Sequence, residues 1–218
     1  MIRFADRADA GRRLAAKLAP LAGADAVVLA LPRGGVAVGF EIAQALGAPL
    51  DLVLVRKIGA PGMPELAMAA LVDAGGEVAR VVDERVAGDA GLLLAYLDRE
   101  AAREAGELAR RRALYAGARP SLPLTERTAI VVDDGIATGT TMRAALLAIR
   151  RAKPARLVLA VPVAPADAIE QLRPEVDDIV CLETPENFFA IGQFYEDFHQ
   201  LGDDEVMALL ERAPQPSN

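Results

Sequence analysis

The sequence predicts an α/β fold in which helices flank a mostly parallel central sheet. Short apolar runs alternate with helical segments along the chain, and the clearest runs are AVVLAL, TAIVV, RLVLAVPV and DIVCLE. Continuous apolar runs of this length are typical of strands buried on both faces, as they are in parallel sheets. Hydrophobic residues make up 53% of the 218-residue chain, which is enough material for one core. We therefore expect a single domain over residues 1–218.

The first part of the chain contains two predicted helices, two strands and a hairpin. Residues 7–22 have helical spacing and precede the apolar run 26–31. The next helix is expected to end near Gly47, since glycine is common just beyond helix ends. Residues 50–59 predict a second buried strand, and residues 65–83 predict two extended segments joined at a Gly-Gly pair.

A long helix is predicted over residues 89–116, which contain no proline and few glycines. Four apolar side chains are predicted to lie near one face of it: Leu94, Leu97, Ala101 and Leu108. Glu107 and Arg111 have the i,i+4 spacing of a helical ion pair. The helix is interpreted as an amphipathic element packed on its own core, and a subunit contact in a homodimer is the alternative.

The rest of the chain repeats the alternation of strands and helices. Strand TAIVV is followed by a loop and a helix over residues 141–152, and then by strand RLVLAVPV, helix 165–174 and strand DIVCLE. Residues 183–212 are predicted to form a small C-terminal segment that ends in a helix. Residues 213–218 are predicted to be a disordered tail.

Composition restricts the class of protein. The formal net charge is -7 and the sequence pI is about 4.9, which disfavours a nucleic-acid partner. No apolar stretch is long enough for a membrane span, and the N-terminal residues lack the apolar region of a signal peptide. The single cysteine, Cys181, lies in an apolar run and is predicted to be a buried structural thiol. We expect a soluble cytoplasmic protein without a disulfide or a zinc site.

The segment AIVVDDGIATGTT, residues 129–141, is the most informative part of the sequence. Its apolar residues predict a strand that delivers Asp133 and Asp134 to the carboxyl edge of the sheet, where open α/β folds bind ligands. The loop beyond consists of small and hydroxyl residues and leads into a helix, so its backbone N–H groups suit an anion such as phosphate. The two carboxylates suit sugar hydroxyls or a hydrated Mg²⁺ ion.

Two common phosphate motifs do not fit this chain. A Walker loop requires a lysine before its hydroxyl residue, whereas the loop here has Gly139-Thr140-Thr141. A dinucleotide fingerprint would have to lie in RGGVAVG, whose glycines do not match the required spacing. The acidic residue downstream, Asp51, precedes the second strand instead of following it.

Residues 129–141 resemble the ribose-5-phosphate motif of the phosphoribosyltransferases, with apolar residues, an acidic pair, small residues, Thr-Gly and hydroxyls in that order. The resemblance implies a type I phosphoribosyltransferase-like fold, with the C-terminal segment as its hood, and phosphoribosyl pyrophosphate as the substrate. It implies that Asp133 and Asp134 hold the ribose hydroxyls. The same substrate would be bound by the residues of the loop: Gly135, Ala137, Thr138, Gly139, Thr140 and Thr141.

Two basic loops support this assignment. LPRGGVAVG resembles the pyrophosphate loop of the family, with Arg33 as a cation and Gly34-Gly35 presenting backbone N–H groups. VRKIGAPGMPE resembles the start of the mobile catalytic loop, with Arg56 and Lys57 at its edge. Taken alone, the first loop also fits a tight turn and the second a solvated strand end. In the family's reaction Arg33 and Lys57 would stabilise the departing pyrophosphate.

The sequence does not assign the acceptor. Family members that use 6-oxopurines carry an acid where this chain has Ala137, whereas adenine-type members place a glutamate in the mobile loop. Glu65 is the candidate for that catalytic role, and capping of the following element is the alternative.

Aromatic residues cluster in TPENFFAIGQFYEDFH near the C-terminus. In the family a hood covers the acceptor, and aromatic rings suit a flat heterocycle. The candidate acceptor-binding residues are Asn187, Phe188, Phe189 and Tyr195. The alternative is that these rings anchor the C-terminal segment onto a core poor in aromatics. His199, the only histidine, is predicted to be a non-catalytic residue.

The predicted function is transfer of the phosphoribosyl group to a nucleobase-like acceptor with release of pyrophosphate. Mg²⁺ is the expected cofactor, held through substrate oxygens and by Asp133 and Asp134. The expected partners are phosphoribosyl pyrophosphate and a small heterocyclic acceptor, with no nucleic acid and no membrane. One alternative is a regulator that senses the same ligand without turnover. Another is an interaction protein with a vestigial site, which the intact aspartate pair disfavours.

Overall fold

The structure is a computed structural model that describes residues 3–23, 25–82, 93–116 and 121–215. Its eight strands are β1 Ala26–Ala30, β2 Leu50–Leu52, β3 Leu54–Ala60, β4 Met63–Ala74, β5 Glu77–Val82, β6 Thr128–Val132, β7 Arg156–Val163 and β8 Asp178–Glu183. The α-helices of the described residues are α1 Arg7–Leu18, α2 Gly34–Leu46, α3 Leu94–Ala116, α4 Thr140–Arg151, α5 Ala166–Leu172 and α6 Asp203–Arg212.

A five-stranded parallel sheet forms the centre of the molecule, in the order β2-β1-β6-β7-β8. The inner strands β1, β6 and β7 are largely buried on both faces, because alternate side chains of each strand contribute to different cores, whereas the edge strand β8 is half-buried along its length. In β1, for example, Val28 belongs to one hydrophobic cluster, whereas Val27 and Leu29 belong to another. The predicted α/β class, with helices flanking a mostly parallel sheet, is confirmed.

The predicted strand over residues 50–59 is wrong as a single element. It divides into β2, which pairs with β1 in the parallel sheet, and β3, which leaves that sheet. Strands β3, β4 and β5 form a separate antiparallel sheet, in which the turn at Gly75 and Gly76 joins β4 to β5 as predicted. Both glycines have positive φ values of 60° and 86°, which other residues rarely adopt.

The long helix α3 packs on the antiparallel sheet through Leu97 and Leu108, which are both buried. Leu94, the first residue of the helix, is predicted on the same face but is 48% exposed. Glu107 and Arg111 form the predicted ion pair at 3.0 Å. Residues 89–92 of the predicted helix lie outside the described part of the chain, and the homodimer stays a prediction.

The C-terminal segment returns to the N-terminus of the chain. The Phe4 N–H donates to the Phe194 carbonyl at 2.8 Å, and the Glu196 N–H donates to the Phe4 carbonyl at 2.8 Å. Helix α6 then packs against α2 and α3. Of the tail predicted to be disordered, residues 216–218 lie outside the described residues. Within the described residues, none of the helices combines the length and the apolar character that a membrane crossing requires.

Candidate functional site

The candidate site lies where the order of the parallel strands reverses direction. From β1 the chain passes to β2 on one side, whereas the next parallel strand, β6, lies on the other side of β1. Crevices at such switch points, outside the carboxyl ends of the strands, are where open α/β sheets bind ligands. The loop after β1 contains Arg33 and Gly34, and the loop after β6 contains Asp133 and Asp134.

These two loops are in direct contact. The Leu31 N–H donates to the Val132 carbonyl at 2.9 Å. A Cβ atom on Gly35 would lie 2.8 Å from the Val132 carbonyl oxygen, and a Cβ atom on Gly34 would collide with the carboxylate of Asp134. Glycine is therefore required at both positions, since any side chain would push the loops apart. The loops are joined through backbone atoms, which fixes the acidic pair beside the start of α2.

The loop from Gly135 to Gly139 ends in a glycine that begins a helix. Gly139 has a φ of 73° and is the N-cap of α4, and the Ile136 N–H donates to the Val163 carbonyl at 2.9 Å. Within the described residues, the backbone N–H groups from Ala137 to Thr141 donate to no protein acceptor. Unpaired N–H groups at a helix N-terminus form a site for an anion such as phosphate.

The hydroxyls of this loop lie on its outer side. Thr138 and Thr140 are exposed, and their Oγ1 atoms are 3.4 Å apart. Ala137 is also exposed, and Thr141 is half-buried. The structure therefore brings the predicted phosphate residues together around one helix end.

The two aspartates differ in their surroundings. Asp134 is buried, and its Oδ2 accepts a hydrogen bond from Arg7 Nε at 2.7 Å in an ion pair. Its backbone carbonyl accepts a hydrogen bond from the Tyr195 hydroxyl at 2.6 Å. The Asp134 carboxylate is thus neutralised inside the protein rather than presented to the crevice.

Asp133 is half-buried and carries no ion pair within the described residues. Its Oδ1 accepts the N–H of Asp134 at 2.8 Å, and its carboxyl group also interacts with the Asp134 side chain. Burial of the carboxyl group, together with the nearby Asp134 carboxylate, raises the pKa of Asp133 well above its usual value. Asp133 is therefore the member of the pair that can bind a hydroxyl group.

Arg7 is a residue of the site that the sequence analysis did not identify. It lies in the first turn of α1, 127 residues before Asp134. Its Nη1 donates to the His199 carbonyl at 2.8 Å, and its guanidinium lies 4.0 Å from the ring centre of Phe198. No local pattern distinguishes Arg7 from other arginines of an amphipathic helix, because its partners come from distant parts of the chain.

The predicted cations lie around the crevice with different partners. Arg33 is 3.8 Å from Asp203 at the start of α6, and Arg56 binds the buried Glu104 of α3 at 2.8 Å. Lys57 is exposed and has no hydrogen bond or ion pair among the described residues.

Arg56 and Lys57 are neighbours on β3, and neighbouring side chains of a strand point to opposite faces. Lys57 lines an open cavity of about 440 Å³ that Thr140 and Thr141 also line. Arg56 lines a second cavity, which Thr141 also lines; it is open to solvent, and its empty space of about 340 Å³ includes part of that solvent. Thr141 therefore stands between the two cavities.

Glu65 lies within β4 and is exposed, without a hydrogen bond or ion pair in the described residues. Because it is inside a strand, it caps no helix, and that alternative is wrong. The structure does not bring Glu65 into contact with the aspartate pair.

The predicted acceptor residues fall into two groups. Tyr195 is only 2% exposed and lies behind Asp134, packed against Phe4, so its ring belongs to the core. Phe189 is 88% exposed, Asn187 is exposed, and Phe188 is half-buried and stacked on Phe194. Tyr195 fits the alternative interpretation, in which aromatic residues anchor the C-terminal segment to the core.

Cys181 is half-buried on β8, and its thiol donates to the Glu183 carbonyl at 3.2 Å. Burial raises the pKa of this thiol to about 11, so it is protonated and unreactive at neutral pH. No group of three or more His, Cys, Asp or Glu side chains in the described residues could by itself hold a metal ion.

The chain has a doubly wound α/β sheet, and an acidic pair and a free helix N-terminus lie at its switch point. These features are those of the α/β proteins that bind phosphorylated ligands at the carboxyl edge of a parallel sheet. The family model for the phosphoribosyl transferase domain matches residues 4–199. The chain therefore belongs to the phosphoribosyltransferase family, as the motif at residues 129–141 predicted.

Individual relatives agree with this assignment. Proteins from two strains of Mycobacterium tuberculosis, named only provisionally as phosphoribosyl transferases, are 47% identical over 210 residues, which is 96% of this chain. The chain spans 47% of their length, about half. The crystal structure of the protein TT1426 from Thermus thermophilus is 45% identical and superposes with a TM-score of 0.83, covering 96% of this chain and 98% of that one.

A more distant structure shares the fold alone. It is a Neisseria gonorrhoeae protein with bound ppGpp, 17% identical, with a TM-score of 0.51 over 96% of this chain and 95% of that one.

Proposed function

We propose that this chain transfers the 5-phosphoribosyl group from phosphoribosyl pyrophosphate to a nucleobase-like acceptor and releases pyrophosphate, as an enzyme of nucleotide metabolism and base salvage. The observation that carries the proposal is the contact between two loops at the switch point. One loop ends in free N–H groups at the start of α4, and the other carries Arg33 and Gly34, whereas the Gly35 N–H donates to the Leu31 carbonyl at 3.1 Å and is not available to a ligand. The carboxylate of Asp133 lies between them.

The three parts of the proposed substrate match three parts of the site. The 5-phosphate would bind the N–H groups from Ala137 to Thr141, where the helix dipole adds favourable charge. The ribose hydroxyls would donate to the carboxylate of Asp133, which has no ion pair in the described residues. The pyrophosphate would lie beside the turn after β1, where the positive charge of Arg33 stabilises the negative charge that builds up as its bond to the ribose breaks. Lys57 would add its charge from the neighbouring cavity, across Thr141.

Asp134 takes a different role from the one that the family motif implies. Its carboxylate is bound by Arg7, so we propose that it positions the loop and leaves contact with the ribose to Asp133. A buried ion pair of this kind holds a loop in one conformation when both partners keep their hydrogen bonds.

Mg²⁺ fits this site only together with the substrate. The described side chains provide no complete metal site, and Mg²⁺ in proteins is commonly bound by one or two carboxylates plus phosphate oxygens. Asp133 would be the protein ligand, since the Asp134 carboxylate is engaged by Arg7. When bound, the ion would neutralise charge on the pyrophosphate.

The acceptor would lie under the exposed part of the C-terminal segment, with Phe188 and Phe189 offering aromatic surface and Asn187 a polar edge. The chain lacks an acid at Ala137, so proton transfer from the acceptor falls to Glu65 if the β3–β4 hairpin moves, or to solvent.

A second candidate function is binding of phosphoribosyl pyrophosphate as a signal without turnover. The position of Glu65 favours this second function. Glu65 is the proposed general acid or base, but it lies exposed on β4 without contact to the aspartates. A sensor needs the phosphate and ribose contacts but no acid or base.

The test is calorimetric binding of phosphoribosyl pyrophosphate with Mg²⁺, followed by measurement of pyrophosphate release with purine, pyrimidine and other heterocyclic acceptors. Binding with release for one acceptor supports transfer and names the substrate. Binding without release for any acceptor favours the sensor. Absence of binding would contradict both candidates.

A further inference from the structure

The 340 Å³ cavity has walls from separate parts of the chain. Leu31 and Pro32 come from the turn after β1, Arg56 from β3 and Thr141 from α4, and Leu108 and Arg111 come from α3. The turn after β1 is the segment that resembles the pyrophosphate loop. A cation of the long helix therefore faces the same cavity as the loop proposed to bind pyrophosphate.

The charges around the cavity leave one arginine of α3 partly uncompensated. Arg56 has a close partner of its own, because Glu104 binds it at 2.8 Å. Arg110 and Arg111 share a single carboxylate, since Glu107 binds the first at 2.8 Å and the second at 3.0 Å. This group of three residues carries one net positive charge, and within it only Arg111 lines the cavity.

Arg111 is also able to change partners at little cost. It is 42% exposed in its side chain, and its bond to Glu107 is a surface ion pair of the kind that contributes little to stability. If Arg111 turned toward the cavity, Glu107 would keep both hydrogen bonds to Arg110, at 2.8 and 2.9 Å. A guanidinium matches the oxygens of a phosphate group because it can donate two parallel hydrogen bonds.

We infer that Arg111 of α3 binds the pyrophosphate group in the 340 Å³ cavity, so that the long helix completes the subsite formed by the turn after β1. This inference rests on the proposed function, since it assigns a further residue to the proposed substrate. Thr141, which lines the cavity and is the last residue of the proposed 5-phosphate site, places the two anionic ends of the substrate next to each other.

The experiment compares Arg111→Gln with Arg110→Gln in the full chain. The two residues are adjacent on α3 and bind the same carboxylate, so each variant removes one positive charge and one ion pair with Glu107, which is a single hydrogen bond for Arg111 and two hydrogen bonds for Arg110. Calorimetry measures the affinity for inorganic pyrophosphate with Mg²⁺ and, separately, the affinity for ribose 5-phosphate. We expect Arg111→Gln to weaken pyrophosphate binding about tenfold, the effect of losing a charge-assisted hydrogen bond, and to leave ribose 5-phosphate binding unchanged. Arg110→Gln should change neither affinity more than about twofold.

Equal pyrophosphate affinity in Arg111→Gln and the parent chain would overturn the inference, and so would an equal loss in both variants, which would indicate a general effect of charge. In both cases intact ribose 5-phosphate binding would leave the proposed function standing. A parent chain that binds neither ligand would overturn the function and the inference together. Thermal unfolding confirms that each variant is folded, and Arg111→Lys should recover part of the affinity because it restores the charge but not the paired hydrogen bonds.

Discussion

At the scale of single residues, the adjacent aspartates show how neighbours in sequence acquire different roles. Asp134 is buried and bound by Arg7, whereas Asp133 is half-buried and has no ion pair in the described residues. The sequence motif treats the two residues as a pair. The separation that we propose, into a positioning residue and a binding residue, rests on the helix that carries Arg7 and on the Tyr195 hydroxyl bound to the Asp134 carbonyl.

Replacing Asp133 should weaken ligand binding and at the same time stabilise the fold at neutral pH. The pKa of Asp133 is raised in the folded state, so between its ordinary value of 3.8 and the raised value the folded protein binds more protons than the unfolded chain. Stability therefore falls as the pH rises through that interval. We expect Asp133→Asn to weaken binding of phosphoribosyl pyrophosphate while raising the free energy of unfolding at pH 7, with a gain that shrinks toward pH 4. Calorimetry and urea unfolding at both pH values measure these effects, and unchanged affinity would remove the proposed ribose role.

Replacing Asp134 should instead destabilise the fold. Asp134→Asn leaves the buried guanidinium of Arg7 without its counter-charge, and breaking a buried pair of this kind costs about 3 kcal/mol. Urea unfolding at pH 7 measures the loss. The control is Asp9→Asn, which removes a more exposed partner of Arg13 on the same helix and should cost much less. A loss for Asp134→Asn no larger than that of the control would show that the pair contributes little.

At the scale of elements, a buried cluster of charges joins the two sheets through the long helix. Arg112 of α3 lies 2.9 Å from Asp51 of β2 and 3.5 Å from Asp73 of β4. Asp51 also accepts the Leu122 N–H at 3.1 Å. The sequence analysis considered Asp51 only as a nucleotide-binding candidate and rejected it. Its position shows that it is a structural anchor.

Removing the central cation should loosen the attachment of α3. We expect Arg112→Met to lower the free energy of unfolding by about 3 kcal/mol at pH 7, because two buried carboxylates lose their counter-charge. Burial already raises the pKa of Asp73, so the loss should shrink toward pH 4, as Asp73 becomes protonated. Urea unfolding at the two pH values tests this expectation. Arg103→Met, at a 71% exposed position of α3, is the control and should cost less than about 1 kcal/mol.

The only histidine joins the C-terminal segment to α6. His199 Nε2 lies 3.1 Å from Glu205 of α6, and its Nδ1 lies 3.2 Å from Asp197. The bond to Glu205, followed by the bond to Asp197, raises the pKa of His199 above 6.5, and the pKa values of both carboxyl groups are lowered. The bridge therefore contributes stability below about pH 6.5 and loses it as the pH rises through the raised histidine pKa. At the acid end it fails as the pH falls through the lowered carboxyl pKa values.

The pH dependence of a histidine variant tests this bridge. We expect His199→Asn to lower the melting temperature at pH 5.5 and to have no effect at pH 9, where the parent histidine is neutral. Differential scanning calorimetry at the two pH values measures the difference. An equal decrease at both values would mean that packing, and not charge, accounts for the loss.

At the scale of the whole molecule, the strand order determines where the site lies. The order β2-β1-β6-β7-β8 places the reversal between β1 and β6, and the loops after these two strands carry the residues of the family motifs. Residues about 100 positions apart in the chain therefore become neighbours through backbone contacts such as that of Leu31 with Val132. The antiparallel sheet and α3 add a second wall to this crevice, which supplies Arg56 and Arg111.

The sequence by itself determined the strands, most helices and the family. Apolar runs predicted β6, β7 and β8 with their observed bounds, because the inner strands β6 and β7 are largely buried on both faces, and the half-buried edge strand β8 is apolar between Asp178 and Glu183. The motif after β6 predicted the free helix N-terminus, since small residues and a following helix are local properties. The prediction of a single strand over residues 50–59 was wrong, because local apolar character does not reveal which sheet each part of the segment joins.

Only the tertiary structure decided which charges meet. The pairing of Arg7 with Asp134, the position of Arg111 at the cavity and the burial of Tyr195 join segments that are distant in sequence. A side chain's role depends on its neighbours in space, because desolvation and ion pairing act over a few ångströms regardless of position along the chain. Local sequence patterns therefore predicted which residues surround the crevice, and the packing of α1, α3 and the C-terminal segment decided which of them remain free to bind a ligand.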